Sequence, residues 1–226
     1  MCSQIFVPDD LLVDSSFFVD SRDIPSITLS VDGGFVYLYF AFIQAPISVS
    51  SLNIALSALS QPEQLRYQSF EDYYQGTSFL VGRQLARYGI SRLLGCSSRA
   101  VSIELDQLTG KPFTPHTYFN LSRSGPFVAC AVSATHNLGI DIEVIKTDVD
   151  ITSVNSYLSN FFSSTNLDWR AHISSYHSFY NQWTRLESQL KLSGAGFSDP
   201  QSSLLNSSIY ELNFACPLLT GCLCLS

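Results

Sequence analysis

Gly139, Ile140, Asp141, Ile142 and Glu143 set two carboxylates two residues apart inside an apolar frame. In an extended strand alternate side chains share a face, so Asp141 and Glu143 stand together while Ile140 and Ile142 face away. Oxygen ligands offered in such a pair, with water and phosphate completing an octahedron, suit Mg2+. An acidic, solvent-facing strand edge has the same pattern. A second set runs from Trp183 to Gly194. Helical positions four apart share a face, so Trp183, Glu187 and Lys191 line up as an aromatic ring, a carboxylate and a cation. That arrangement serves either a metal ligand beside a phosphate contact or an ordinary surface ion pair. The third set is Gly110, Lys111 and Pro112, followed by Phe119, Asn120, Leu121, Ser122, Arg123, Ser124 and Gly125. A lysine on a tight turn, small polar residues and an arginine able to bind bidentately make an anion pocket, although a turn leading into a polar loop has the same composition.

The elements that must position these residues are legible in outline. Ser60, Pro62 and Glu63 form a helix start with a capping box, and the helix is expected to run to about Gly76. A second helix is expected from Thr77 or Ser78 to a Gly95 cap, making a helical hairpin. Ala100 to Asp106 alternates as a half-buried strand before the Gly110 turn. Phe127 to Ser133 and Ile140 to Ile145 are expected to pair as a β-hairpin. Trp183 to Ser193 reads as a helix closed by Gly194, with late strands at Tyr210 to Phe214 and Cys222 to Leu225. Ser48 to Ser60 and Ser198 to Ser208 read as loops or strand edges, and residues 1–58 hold no assignable motif. Helices and strands interspersed in this way give an α/β or α+β class.

Composition narrows the functions. With 46% hydrophobic and 14% charged residues, the 226-residue chain can bury one large core or two closely joined ones. Its longest apolar run, Phe35 to Ile43, is about half the roughly 18 residues a membrane-spanning helix needs. No membrane span is expected, and with no basic, apolar leader at Met1 the expected location is the cytoplasm. A net charge of −7 argues against a bulk grip on nucleic acid. Six cysteines without C-x-x-C spacing read as reduced, mostly buried thiols, so zinc is not expected.

Taken in order, the blocks resemble the Sfp-type 4'-phosphopantetheinyl transferases, whose signature runs G-K-P, F-N-I/L/V-S-H-S, G-I/V-D-I/V-E and W-S/T-x-K-E-A/S-x-x-K-x-x-G. Here those blocks are Gly110 to Pro112, Phe119 to Ser124, Gly139 to Glu143 and Trp183 to Gly194, and Leu59 to Arg66 with Gly82 and Arg83 looks like the family's first helical pair. The resemblance covers residues 59–197. It implies a reaction in which the phosphopantetheine arm of coenzyme A passes to a serine of an apo acyl- or peptidyl-carrier protein of fatty-acid, polyketide or nonribosomal-peptide assembly, releasing 3',5'-adenosine bisphosphate. Asp141, Glu143 and Glu187 match the family's ligands for Mg2+ (Mn2+ as a substitute), and Glu187 also matches the residue that activates the carrier serine. Lys111, Asn120, Ser122 and Lys191 match coenzyme A contacts, with Lys191 also in a catalytic position. Arg66, and less closely Arg83, fall where a basic group meets the nucleotide 3'-phosphate.

The chain departs from the family pattern at Arg123, where histidine is usual, and at Leu186, where lysine is usual. Arg123 keeps a cation able to reach coenzyme A phosphates; Leu186 removes one. Architecturally the resemblance implies a monomer of two similar α/β halves, residues 1–135 and 136–226, related by a pseudo-twofold with coenzyme A between them. Two other activities use the same groups: coenzyme A or carrier-protein binding without catalysis, and Mg2+-dependent nucleotide pyrophosphate hydrolysis.

Overall fold

A computed structural model describes residues 2–7, 12–14, 24–43, 46–106, 110–154, 175–194 and 207–226. Strands β1 (Cys2–Val7), β2 (Leu12–Asp14), β3 (Ile27–Val31) and β4 (Gly34–Phe42) come first. Helices α1 (Val49–Ser57), α2 (Gln61–Gln68) and α3 (Tyr73–Leu94) follow, then β5 (Glu104–Leu105), β6 (Pro112–Phe113), β7 (Tyr118–Ser124), β8 (Phe127–Ser133) and β9 (Leu138–Val144). Helix α4 (Tyr176–Ser193) and strands β10 (Ser208–Phe214) and β11 (Leu219–Leu225) complete the described elements. This mixture of helices and sheets is an α/β fold.

The apolar run around β4 is a strand buried on both faces, which is why it reads as continuously hydrophobic rather than alternating. β4 lies inside a five-stranded sheet, with β8 and then β7 on one edge and β2 and β3 sharing the other. Val36, Leu38 and Phe40 enter one core, and Tyr39, Ala41 and Ile43 enter a second. The second core is closed by Val81, Leu85, Ala86 and Ile90 of α3. The first is closed by a four-stranded sheet of order β1-β10-β11-β9, through Leu138, Ile140, Ile142, Leu212 and Leu223. On that sheet's other face Leu192 of α4 packs on Cys222 and Cys224. The layers are therefore α3, five-stranded sheet, four-stranded sheet and α4. β1 pairs parallel with β10, so the first strand of the chain sits in the sheet built by the last ones.

Several sequence expectations are corrected. Phe127 to Ser133 does not pair with the strand carrying Asp141: β8 already has β4 on one edge and β7 on the other, and β9 pairs with β11 in the other sheet. The chain turns between them where Ser133 Oγ accepts from the amides of Thr135 and His136. The first helix of the hairpin ends at Gln68 and the second starts at Tyr73, because Asp72 caps it by accepting from Gln75 N at 2.8 Å. The serine-rich stretch from Ser48 contains α1, capped by Ser48 accepting from Ser51 N. Of Ala100 to Asp106 only Glu104 and Leu105 form a ladder, although Val101 and Ile103 are buried as the alternation requires. Residues 195–206, including most of the stretch from Ser198 to Ser208, lie outside the described residues. Among the described residues no helix is long and apolar enough to cross a membrane.

Candidate active site

β9 and β7 are neighbouring edges of the two sheets, and side chains replace the backbone ladder between them. Asn120, Ser122 and Ser124 alternate along β7 and are all buried. Asn120 Oδ1 accepts from Ile140 N at 3.2 Å, Ser122 Oγ from Ile142 N at 3.1 Å and Ser124 Oγ from Val144 N at 2.9 Å. These bonds satisfy the outward amides of β9, which would otherwise be buried without partners. The two serine hydroxyls then donate to the acids: Ser122 to Asp141 Oδ1 at 2.8 Å and Ser124 to Glu143 Oε2 at 2.6 Å. Two period-two patterns thus interlock across the seam.

Helix α4 lies on the Asp141 face of β9, and Gly139 permits the approach. A Cβ at Gly139 would lie 2.0 Å from Ser188 O and 2.6 Å from Leu192 N, distances no side chain can occupy. The contact places Lys191 Nζ 2.6 Å from Asp141 Oδ1 and 3.2 Å from both Ser122 Oγ and Ile140 O. The carboxyl-terminal end of α4 is held by Lys111 Nζ, which donates to Lys191 O at 2.8 Å, and by Asn137 Nδ2, which donates to Leu192 O at 3.0 Å. Cations there also suit the negative end of the helix dipole. Gly194 terminates α4 in the left-handed region at φ 73°.

A cleft of about 470 Å3 runs beside this junction, lined by Arg66, Arg83, Lys111, Asn120, Arg123, Glu187 and Lys191 among others. One end is an arginine–aromatic cluster: Arg66 stacks 5.0 Å and Arg123 6.0 Å from the Phe70 ring, and Arg83 4.9 Å from Phe79. Glu63, fully buried, holds Arg83 Nε at 3.0 Å and Arg87 at 2.5 Å while also accepting from Ser60 N. Burial, with Arg87 and Arg123 adding to it, pulls Arg83 down to about 10 despite Glu63. Partial desolvation and then Arg66 lower Arg123, and burial followed by Lys191 lowers Lys111. Positive charge is crowded here, the electrostatic condition for holding a multiply charged anion.

Glu187 lines the cleft, and behind it, on β9, the acids crowd one another. Burial raises Asp141 above the ordinary carboxylate range, against the opposing pull of Lys191 and Ser122. Glu143 is raised by burial, with the Asp141 and Glu187 charges contributing, and Glu187 is raised by burial and then by Asp141. Asp141 Oδ2 is buried with no hydrogen-bond partner.

Comparisons with known proteins bear on the family. The chain is 28% identical over 173 residues to a 4'-phosphopantetheinyl transferase of Bacillus subtilis, covering 74% of each. It is 30% identical over 171 residues to the 4'-phosphopantetheinyl transferase gsp of Aneurinibacillus migulanus, covering 72% of this chain and 68% of that one. The chain belongs to the Sfp-type 4'-phosphopantetheinyl transferase family. The 4'-phosphopantetheinyl transferase HetI of a Nostoc strain is 27% identical over 183 residues, 77% of this chain and 74% of that one. No family model matches.

For a member of this family, the structure gathers Arg66, Lys111, Asn120, Arg123, Glu187 and Lys191 around one cleft, with Arg83 beside them. Asp141 and Ser122 lie behind Lys191, bonded to its ammonium, and Glu143 follows Asp141 along β9. Among the described residues no three acidic, histidine or cysteine side chains close into a metal-ligating group; Asp141, Glu143 and Glu187 influence one another without forming a cage. A divalent cation nevertheless fits this donor set. Mg2+ is usually held by one or two carboxylates together with substrate phosphates, and the unpartnered Asp141 Oδ2 beside Glu143 offers that provision. Leu186 needs no counterpart in the cleft, since it is buried with Phe179, Tyr180 and Leu190. The bond from Ser124 to Glu143, together with Asn137, Phe70 and the Glu63 ion pairs, escaped the sequence reading. The matching alternation of Asn120, Ser122 and Ser124 with Asp141 and Glu143 was the available signal for the first of these.

Proposed function

We propose that this chain transfers the 4'-phosphopantetheine arm of coenzyme A to a serine hydroxyl of an apo acyl- or peptidyl-carrier protein, releasing 3',5'-adenosine bisphosphate. One observation carries the reading: a single cleft is lined by Arg66, Arg83, Arg123, Lys111, Lys191 and Glu187, and Lys191 is bonded to Asp141 of β9 behind it. Coenzyme A carries a 3'-phosphate and a 5'-pyrophosphate on its nucleotide, and the cations lining the cleft complement those negative charges; carboxylates beside a pyrophosphate fit only with a divalent cation between them. The relatives are named 4'-phosphopantetheinyl transferases, which supports phosphopantetheinyl transfer. On this reading Arg66 and Arg123 hold the 3'-phosphate, Lys111 and Lys191 the pyrophosphate, Asn120 forms the wall between them, and Ser122 supports Lys191 from behind. Residues 1–135 supply the first set and 136–226 the helix with Glu187.

In the reaction, the serine oxygen forms a bond to the β-phosphorus as the bond from that phosphorus to the bridging oxygen breaks, and the electron pair leaves with adenosine bisphosphate. Glu187 takes the hydroxyl proton; a carboxylate raised by burial and by Asp141 is a stronger base than one in water. Lys111 and Lys191 balance the charge gathering on the leaving phosphate. Asp141 and Glu143, with Glu187, would hold Mg2+ or Mn2+, which when bound polarises the phosphoryl oxygens. No residue needs to form a covalent intermediate.

The decisive experiment is the intact mass of several apo carrier proteins after incubation with coenzyme A and Mg2+. A phosphopantetheine-sized gain, absent with Glu187→Gln, is expected. Adenosine bisphosphate released without any carrier gain would make the protein a pyrophosphatase, and coenzyme A binding with no reaction would make it a binding protein.

A further inference from the structure

Ser122 and Ser124 occupy equivalent places two residues apart. Each accepts from the amide of the residue after an acid and donates to that acid. Ser122 also bonds Lys191, so it belongs to the pyrophosphate side as well. Ser124 is 8% exposed and does not line the cleft. We propose that Ser124 is a positioning residue for Glu143, fixing that carboxylate beside Asp141 so that both present oxygens to one divalent cation. The inference rests on the transferase reading above and adds to it a residue that touches neither coenzyme A nor the carrier.

The geometry makes the constraint directional. Val144 N–H occupies an oxygen lone pair of Ser124, which leaves the hydroxyl proton for Glu143 Oε2 at 2.6 Å, in the short range of charge-assisted bonds. Glu143 is pressed by the charges of Asp141 and Glu187. A free glutamate under that repulsion would turn away from its neighbours; the serine tether opposes the turn. Because the amide of Val144 sits on the same strand as Glu143, the tether is referenced to the β9 backbone itself. Groups that orient metal ligands in this way are worth about 10- to 100-fold in metal affinity.

The test is a Mn2+ titration of the full chain, with and without coenzyme A, read by electron paramagnetic resonance. Ser124→Ala should weaken Mn2+ binding by about tenfold or more and raise the metal concentration for half-maximal transfer equally, with a smaller loss of maximal rate. Ser124→Thr should restore both. In a Glu143→Gln background, Ser124→Ala should cost less than about twofold, because the tether then has no charged ligand to hold. Mn2+ binding by Ser124→Ala within about twofold of the unaltered protein, or an undiminished cost in the Glu143→Gln background, overturns the proposal. Should Ser124→Ala not fold, the similarly shaped Ser124→Thr and Ser124→Val variants decide: weaker Mn2+ binding by valine supports it, and equal binding overturns it. Unaltered protein that leaves every carrier's mass unchanged would instead sink the transferase reading, a result independent of the serine comparison.

Discussion

Glu187, the base proposed above, shows the cost of burying a carboxylate. Its carboxylate is raised by burial and by Asp141, so it opposes the folded state whenever it is ionised without a ligand. A folded-state value above the unfolded one means that the folded protein binds the proton more tightly. Stability is therefore complete below the unfolded value, about pH 4.3, and is lost as pH rises through the raised value. Glu187→Gln should abolish carrier modification, a loss of at least about 100-fold. In the absence of metal and coenzyme A it should melt higher than the unaltered protein at neutral pH. The gap should close toward pH 4, as differential scanning calorimetry across pH will show. A melting gap that widens as pH falls would contradict the raised carboxylate.

Elements are brought into register by single residues whose roles differ in kind. Gly139 is a matter of space: Gly139→Ala forces α4 away from β9, and overpacking of this sort costs about 1–3 kcal/mol. Because the displaced helix carries both Glu187 and Lys191, transfer should fall by more than the melting temperature alone explains, measurable as lost rate well below the melting point. Glu63 is a matter of charge. It joins the start of α2 to the middle of α3 through Arg83 and Arg87, and Glu63→Gln leaves two buried cations short of their partner. Breaking a buried pair in this way costs about 3–5 kcal/mol, so chemical denaturation should show a midpoint shift much larger than that of Arg66→Ala, whose side chain is exposed.

At the scale of the whole molecule, the two ends of the chain share a sheet. β1 supplies Ile5 and Val7 to the core between the sheets and pairs with β10 along its length. Removing residues 1–7 uncovers one edge of β10 and deletes two core side chains worth about 1.5–3 kcal/mol each. The melting temperature should fall by more than about 5 °C, and a truncation that melts like the full chain would show that the seam between the sheets does not depend on this strand.

What the sequence determined by itself was local. The alternation around Asp141 required an extended strand with both acids on one face, and the spacing of Glu187 and Lys191 required one helical face; both are properties of backbone period. The α/β class followed from the same periods. Partner choice is not local. Phe127 to Ser133 and the Asp141 strand are adjacent in sequence and each strongly β-forming, which favours a hairpin, yet both edges of β8 were taken by β4 and β7. Only the tertiary structure could place Ser122 and Ser124 against acids 19 residues away, or Lys191 against an aspartate 50 residues away. Those contacts depend on which sheet edge faces which and on a glycine small enough to let a helix in, and no repeat along the chain encodes either.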